Sequence, residues 1–393
     1  MTGQTTPYLS TLTPLRGIAA LFIVVFHCNL AYLPFISTEF THFVDNSWLW
    51  TDFFFVLSGF IMCYVYRSYF ADRVTKQKFR KYMSARFARI YPLYFVTTLW
   101  AFFVCVFINY YASSLDPFFA EIFDTNGLPL CLLLLQSMHT GYITPPLNTP
   151  GWSLSTEWWT YVLFPFILPL FAAMKTRAMI IAALVIGIFF VLLRYVLGPI
   201  SYMGQGPTLN MLTDFGFLRC VAGFLVGMLV YAFFMSGKGS KIIGSDWFFA
   251  LAFLGTALAM HTNVIDIVIV GFFPFIILAA IYNGGWVKRL LETKPLQRLG
   301  DWSYSIYMVH MPIIFTFIIF KVEKNPGYFA DFNNPTDRFP SMRGLYMCIL
   351  ITGLTLGIAA LAYRFVEIPA RNYLNRLFNS SRATLAGKGV QPN

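Results

Sequence analysis

The residues best able to do chemistry in this chain are ionisable side chains within apolar segments. His27 lies near the middle of the first long apolar run, eleven positions after Arg16. On an α-helix, that spacing brings both side chains to nearly the same face, with His27 about 16 Å further along the axis. A charged side chain at mid-membrane costs roughly 2.5 to 3.5 kcal/mol, and a neutral histidine lowers this cost while remaining a usable base. The pattern predicts a functional imidazole at depth. The alternative is a histidine that only hydrogen-bonds between helices.

Two carboxylates are candidates to orient or tune the imidazole of His27. Asp52 opens the second apolar run, and Glu157 follows Ser153 by four residues at the start of the fourth, so Glu157 and Ser153 share a helix face. Each carboxylate also has a simpler interpretation, because the helix dipole stabilises a negative charge in a first turn. His310, in a later apolar run, is a further candidate, either as a catalytic group or as a buried polar partner.

A pair of arginines at the start of the third apolar run suits a phosphate ligand. Arg86 and Arg89 are three residues apart and therefore lie on one helical face. Guanidinium groups bind phosphate through two parallel hydrogen bonds, so this pair, with Arg16, could hold a diphosphate. Positive residues at a membrane rim are also explained by orientation alone. Trp152 and Ser153 are candidates to line a channel for the reactive end of such a ligand, with an interfacial aromatic belt as the alternative for the tryptophan.

The composition indicates an all-α, polytopic membrane protein. Of the 393 residues, 58% are hydrophobic and only 11% are charged, against about a quarter charged in soluble domains. Apolar runs of about 18 to 22 residues recur along the whole chain, which predicts about ten transmembrane helices. We expect a single membrane domain over residues 1–380 and a polar tail over 381–393. The expected spans are approximately 17–35, 50–66, 89–110, 153–173, 178–197, 214–235, 246–262, 267–284, 302–320 and 344–366.

The net charge of +11 is interpreted as a signal of membrane orientation, not of nucleic-acid binding. Eight lysines and arginines lie between positions 67 and 89, and the next one is Lys175. Cytoplasmic loops carry such excesses, so we expect both termini in the cytoplasm and a multi-pass protein of a bacterial-type plasma membrane. Arg219 lies near the outer end of a span, where a long side chain can extend to the interface. The short apolar segment Leu128–Leu135 is expected to be re-entrant or interfacial, and Lys321–Arg343 to form a long outer loop.

The six cysteines are scattered through apolar segments without paired spacing. Such a distribution indicates neither a disulfide framework nor a zinc site, and no other metal site is expected. The cysteines are predicted to be reduced packing residues.

Taken together, the local patterns resemble the acyltransferase 3 family, whose members O-acylate cell-surface glycans and related acceptors. The resemblance implies about ten helices, an acyl-CoA donor that binds from the cytoplasm, and His27 as the catalytic centre. It extends over nearly the whole chain. The segments that carry it are Arg16 with His27, the Phe-rich run into Leu57-Ser58-Gly59-Phe60, Arg86-x-x-Arg89, Trp152-Ser153-Leu154 with Glu157, and Leu299-Gly300-Asp301-Trp302-Ser303-Tyr304-Ser305-Ile306-Tyr307 ahead of His310.

The residues and the resemblance predict transfer of an acyl group, expected to be acetyl, from acyl-CoA to a hydroxyl of an extracytoplasmic carbohydrate or glycan precursor. His27 would remove the hydroxyl proton, and Glu157 or Asp52 would orient its ring. Whether His27 first accepts the acyl group covalently is left open. The alternative function is a proton-coupled secondary transporter that uses His27, Glu157 and His310 as a relay. Membrane lipid, the acyl donor and the carbohydrate are the expected partners, and a homo-oligomer is left open.

Overall fold

The computed structural model describes residues 8–30, 34–112, 117–138, 147–171, 174–201, 206–324 and 340–387. All regular elements in these ranges are helical, which confirms the predicted all-α class. In chain order the α-helices are α1 Leu12–Leu30, α2 Trp50–Tyr66, α3 Lys76–Tyr111, α4 Pro117–Ile122, α5 Leu128–Leu132, α6 Gly151–Phe171, α7 Thr176–Leu192, α8 Gly216–Met235, α9 Ser240–Ile243, α10 Asp246–His261, α11 Asp266–Tyr282, α12 Trp286–Leu291, α13 Lys294–Asp301, α14 Ser303–Lys324, α15 Met342–Ala362 and α16 Ile368–Gly387.

Several of these helices are long and apolar enough to cross a bilayer, so the chain is a multi-pass membrane protein. Seven helical stretches in the described ranges meet both criteria. The apolar helices α10 and α11 are shorter, at 16 and 17 residues, and α6 contains Pro165 and Pro169. Each predicted span overlaps a helix, but the count of ten and the side of the membrane that holds the termini stay predictions. Most of the expected outer loop, residues 325–339, lies outside the described residues.

Two helix starts differ from prediction and change where the site residues lie. α1 begins at Leu12, five residues before the expected span, because Pro14 is tolerated in a first turn that needs no donor from it. His27 therefore lies in the last turn of α1, and its expected position near the middle is wrong. α3 begins at Lys76, where the Thr75 hydroxyl caps the helix, so Arg86 and Arg89 belong to a rigid helix interior.

Close backbone packing joins α2 to α8 at glycines. A Cβ on Gly227 would lie 1.9 Å from the Val56 carbonyl oxygen, and one on Gly59 would lie 2.1 Å from the Phe224 carbonyl oxygen. Only glycine permits such an approach, as in other membrane helix pairs built on small residues. The crossing brings α2 and α8 side by side, and this proximity determines the partner of Asp52 described below.

A second close contact places the start of α1 against α13. A Cβ on Gly300 would lie 2.0 Å from the Thr13 carbonyl oxygen, and one on Gly17 would lie 2.6 Å from the Leu299 carbonyl carbon. The segment around Arg16 therefore packs directly on the residues that precede α14. As a result, Arg16 and the first turns of α14 face the same interior space.

The segment Leu128–Leu135 forms the short helix α5 and then turns through Leu134, which has a positive φ of 57°. The carbonyl oxygen of Leu134 accepts hydrogen bonds from Ser155 Oγ at 2.7 Å and Trp159 Nε1 at 2.8 Å. Non-helical backbone at membrane depth is tolerated where protein groups satisfy it in this way. These contacts hold the segment against α6, which carries several of the predicted site residues.

Candidate active site

A cavity lies between α1, α2, α3, α6 and α14. Along α2 its lining runs from Thr51 to Met62, which corresponds to about 16 Å of helix. That is about half of the hydrocarbon thickness of a bilayer. Of the nine residues predicted for the site, five line this cavity: Arg16, Arg86, Arg89, Ser153 and Glu157.

One end of the cavity is cationic, but Arg89 is already neutralised there. Its guanidinium forms an ion pair with Glu367, a fully buried carboxylate at the end of a π-helical turn. The other oxygen of Glu367 accepts a hydrogen bond from Ser305 Oγ at 2.8 Å. The charge of Arg89 is therefore largely neutralised by Glu367, and this weakens its expected role as a free phosphate ligand.

Arg16 and Arg86 keep donors available at the same end. Arg86 Nη2 donates to the Tyr66 hydroxyl at 3.1 Å, and the guanidinium lies over the Tyr66 and Tyr161 rings at 5.4 and 6.0 Å. Its Nη1 lies 3.8 Å from the Met62 sulfur, and its Nε is buried without a hydrogen-bond partner in the described part of the chain. The Arg16 guanidinium likewise makes no hydrogen bond to any described residue, although it lines the cavity. Free guanidinium donors in a confined space form a site for an anion.

His27 is hydrogen-bonded to His310, with His310 Nε2 at 3.1 Å from His27 Nδ1. His310 is fully buried, and its Nδ1 lies 3.2 Å from the Ile306 carbonyl oxygen. A carbonyl can only accept, so neutral His310 carries its proton on Nδ1 and offers Nε2 as an acceptor. His27 then carries its proton on Nδ1, which also lies 3.0 Å from the Ile23 carbonyl oxygen. The Nε2 of His27 is therefore left unprotonated, as a general base requires.

The histidine pair does not line the cavity itself. It lies behind Tyr307, which does. The ring centroids of Tyr307 and His310 are 5.9 Å apart, and Tyr307 lines the cavity. The Tyr307 hydroxyl lies 2.8 Å from Ser153 Oγ, which donates to the Pro150 carbonyl at 3.0 Å. The hydroxyl pair thus marks the end of the cavity next to His27 and His310.

Asp52 does not contact His27, and the expectation that it orients the imidazole is wrong. Its two oxygens accept hydrogen bonds from Arg219 Nε at 3.0 Å and Arg219 Nη2 at 2.6 Å, and both side chains are fully buried. The guanidinium lies between the rings of Trp48 and Trp152, at 4.7 and 5.0 Å. Arg219 therefore does not extend to the interface, and Trp152 packs on it and is not part of the cavity lining. The close crossing of α2 and α8 sets this pairing.

Glu157 also has partners other than His27. Its Oε1 accepts hydrogen bonds from the hydroxyls of Ser58 and Tyr161. The expectation that Glu157 orients His27 is therefore wrong, because His310 fills that position. The side chain nevertheless lines the cavity, so it remains available to a ligand.

Sequence reasoning missed three residues that shape the site: Arg219, Glu367 and Tyr307. Arg219 and Glu367 had a signal, because a charged residue within or beside an apolar run is expected to find a partner of opposite charge. Tyr307 ends the segment from Leu299 that carries the family resemblance, but no role was predicted for it. Within the described ranges no group of three or more His, Cys, Asp or Glu side chains is arranged to hold a metal ion.

The arrangement of guanidinium groups at one end of the cavity and a hydrogen-bonded imidazole pair beyond the other end can bind an anion and supply a base. The comparisons with known proteins agree. A family model described as an acyltransferase domain, that of acyltransferase 3, matches residues 12–364. The chain belongs to this family, which confirms the predicted resemblance, and it is a membrane acyltransferase.

Curated relatives are found among bacterial acyltransferases. The acyltransferase MdmB of Streptomyces mycarofaciens is 31% identical over 325 residues, which cover 78% of this chain and 79% of the relative. The O-acetyltransferase OatA of Staphylococcus aureus (strain NCTC 8325) is 24% identical over 380 residues, 93% of this chain. That alignment covers only 57% of OatA. No solved structure matches the chain.

Proposed function

We propose that this protein is an acyl-CoA-dependent O-acyltransferase of a bacterial plasma membrane. It transfers an acyl group, in the first instance acetyl, to a hydroxyl of an extracytoplasmic carbohydrate or glycan precursor. The observation that carries the proposal is the distance along α1 between the free cation Arg16 and the paired imidazole of His27. OatA and a further Staphylococcus aureus relative are named as an O-acetyltransferase and a putative O-acetyltransferase, which supports the acetyl group and the hydroxyl acceptor.

That distance matches the donor. Eleven residues separate Arg16 from His27, an axial rise of about 16 Å. In CoA about thirteen bonds join the thiol sulfur to the nearest phosphorus, which at the spacing of an extended peptide spans roughly 15 Å. A diphosphate held by Arg16 and Arg86 therefore delivers its thioester to the level of His27. Arg16 and Arg86 thus fit one end of an extended acyl-CoA molecule, and His27 fits the other. All three residues carry the family resemblance.

His27 supplies the base for the transfer. Its Nε2 takes the proton of the acceptor hydroxyl while the hydroxyl oxygen bonds to the thioester carbonyl carbon. The carbon–sulfur bond then breaks, and the CoA thiolate leaves and takes up the proton. His310 maintains the required tautomer by accepting a hydrogen bond from the Nδ1–H of His27. A route through an acyl-imidazole uses the same nitrogen, so both routes need the same arrangement.

The proposal is tested with purified protein in detergent, radiolabelled acetyl-CoA and carbohydrate acceptors that differ in their free hydroxyls. We expect label on an acceptor together with an equal release of CoA thiol. Release of thiol from neither acetyl-CoA nor longer acyl-CoA, with any acceptor, would overturn the donor assignment. Proton-coupled uptake into proteoliposomes without label transfer would instead support the carrier alternative.

Replacing Arg16 with glutamine is expected to raise the KM for acetyl-CoA about 10- to 100-fold with little change in kcat, because one charge-assisted hydrogen bond to phosphate is lost. Arg16 is a cleaner test than Arg89, whose removal would also leave buried Glu367 unpaired. The measurement is initial rate against donor concentration.

Arg177, an exposed arginine in the first turn of α7, provides the matched control as Arg177→Gln. The Arg16→Gln penalty should disappear with acetyl-pantetheine, which lacks the diphosphate. A penalty of equal size with both donors would show that Arg16 does not bind phosphate.

A further inference from the structure

Among the described residues that line the cavity, Glu157 is the only carboxylate, and the histidine pair does not contact it. Its Oε1 is held by Ser58 and by Tyr161, the latter at 2.5 Å. Its Oε2 accepts no hydrogen bond from any described residue, although the side chain lines the cavity. A carboxylate oxygen in a low-dielectric cavity is a strong acceptor and is costly to leave unused. Ser58 and Tyr161 therefore fix Oε1, and Oε2 is left to accept a hydrogen bond from a donor on the ligand.

The position of Glu157 along α6 locates that donor. Ser153 lies four residues before it and Tyr161 four residues after it, so each is about 6 Å away along the axis. Ser153 is hydrogen-bonded to Tyr307, at the end nearest the imidazoles. Tyr161 lies beneath the guanidinium of Arg86, at the phosphate end. Glu157 therefore faces the middle of the pantetheine arm, the part of CoA that joins the thioester to the diphosphate.

At the middle of that arm is an amide. The nitrogen that joins the β-alanine and pantoyl units is about seven bonds from the sulfur and six from the phosphorus, at extended-chain spacing roughly 8 and 7 Å. Its N–H must lose water when the arm enters the protein, and an unpaired amide donor is costly there.

We propose that Glu157 recognises the acyl donor by accepting a hydrogen bond from this central amide N–H at Oε2. The inference rests on the proposed function and deepens it, since it assigns Glu157 to donor selection and not to the chemical step. Ser58 and Tyr161 act as positioning residues, because they hold Oε1 and so fix the direction of Oε2.

The test compares Glu157→Gln with wild type on three acetyl thioesters: acetyl-CoA, acetyl-pantetheine and S-acetyl-N-acetylcysteamine, which lacks the central amide. In the variant the amide oxygen takes the two hydroxyl hydrogen bonds and its NH₂ faces the ligand N–H. We expect kcat/KM to fall about 10- to 100-fold with the first two donors and to be unchanged with the third. Glu323→Gln, an exposed carboxylate near the end of α14, is the matched control.

A second measurement changes the donor instead of the protein, so the loss on wild type does not depend on how the variant folds. On wild type, an acetyl-pantetheine analogue with an ester in place of the central amide should lose about as much kcat/KM as Glu157→Gln does, and the two losses should not add. An equal loss on all three thioesters, no loss on any, or additive losses would each overturn the assignment. Failure of the proposed function is distinct, because wild type would then release thiol from none of the donors.

Discussion

Replacing His27 with alanine is expected to lower the rate of acyl transfer about a hundredfold to ten-thousandfold, the usual contribution of a general base. The loss should appear in kcat with little change in the KM for the donor, because the imidazole lies beyond the cavity lining that holds the arm. The measurement is release of CoA thiol under saturating donor, with the melting temperature of the detergent-solubilised protein as a check on folding.

His261→Ala provides the matched control, since His261 is an exposed histidine at the end of α10 that hydrogen-bonds Thr41. It should keep the wild-type rate. A folded His27→Ala protein with undiminished transfer would remove the imidazole from the mechanism, while the cationic end of the cavity would remain a donor site to be tested through Arg16.

Replacing Asp52 with alanine is expected to destabilise the protein by about 3 to 5 kcal/mol, because Arg219 would remain as an unpaired charge in a closed environment. Both side chains are fully buried, so the guanidinium would stay desolvated after its counter-charge is removed. The expected readout is a large fall in melting temperature in detergent. If chemistry were the role of Asp52, the same substitution would instead lower kcat at unchanged stability.

The pair itself is tested by removing both charges. An Asp52→Leu, Arg219→Leu double variant should recover most of the stability lost by Asp52→Ala, because replacing a buried ion pair with apolar groups is often neutral or stabilising. The two substitutions are thus strongly non-additive. A double variant less stable than the single one would indicate that the pair contributes attraction beyond mutual neutralisation, for instance through the Trp48 and Trp152 rings.

Asp52, Glu367 and Glu157 are carboxylates in or near the cavity. Their hydrogen-bond and ion-pair partners show that they have different roles. Asp52 is paired with Arg219, and Glu367 with Arg89, so both neutralise a buried cation. Within the described part of the chain, Glu157 receives hydrogen bonds only from two hydroxyls, and its other oxygen stays open to a ligand. The distinction has a simple physical origin, because a carboxylate that balances a buried guanidinium cannot also serve a passing substrate without exposing that charge.

Much of the architecture and the inventory of the site could be predicted from the sequence. Runs of apolar residues require helices in a bilayer, since each backbone polar group must be satisfied within its own segment. The all-α class, the family and five residues that line the cavity follow from such local patterns. Ionisable groups in apolar runs are conspicuous because they are costly, so His27, His310, Arg86 and Glu157 could be selected before their surroundings were known.

The partners of those residues were decided only by the tertiary structure. Asp52 and Arg219 are 167 positions apart, Arg89 and Glu367 are 278 apart, and His27 and His310 are 283 apart. Which groups meet depends on helix crossings such as that of α2 with α8, where Gly59 and Gly227 bring the backbones together. Helical periodicity determines the face on which a side chain lies, but not which helix packs against that face. For this reason the sequence could single out the imidazole of His27 as a candidate, whereas the structure shows that His310, and not a carboxylate, is hydrogen-bonded to it.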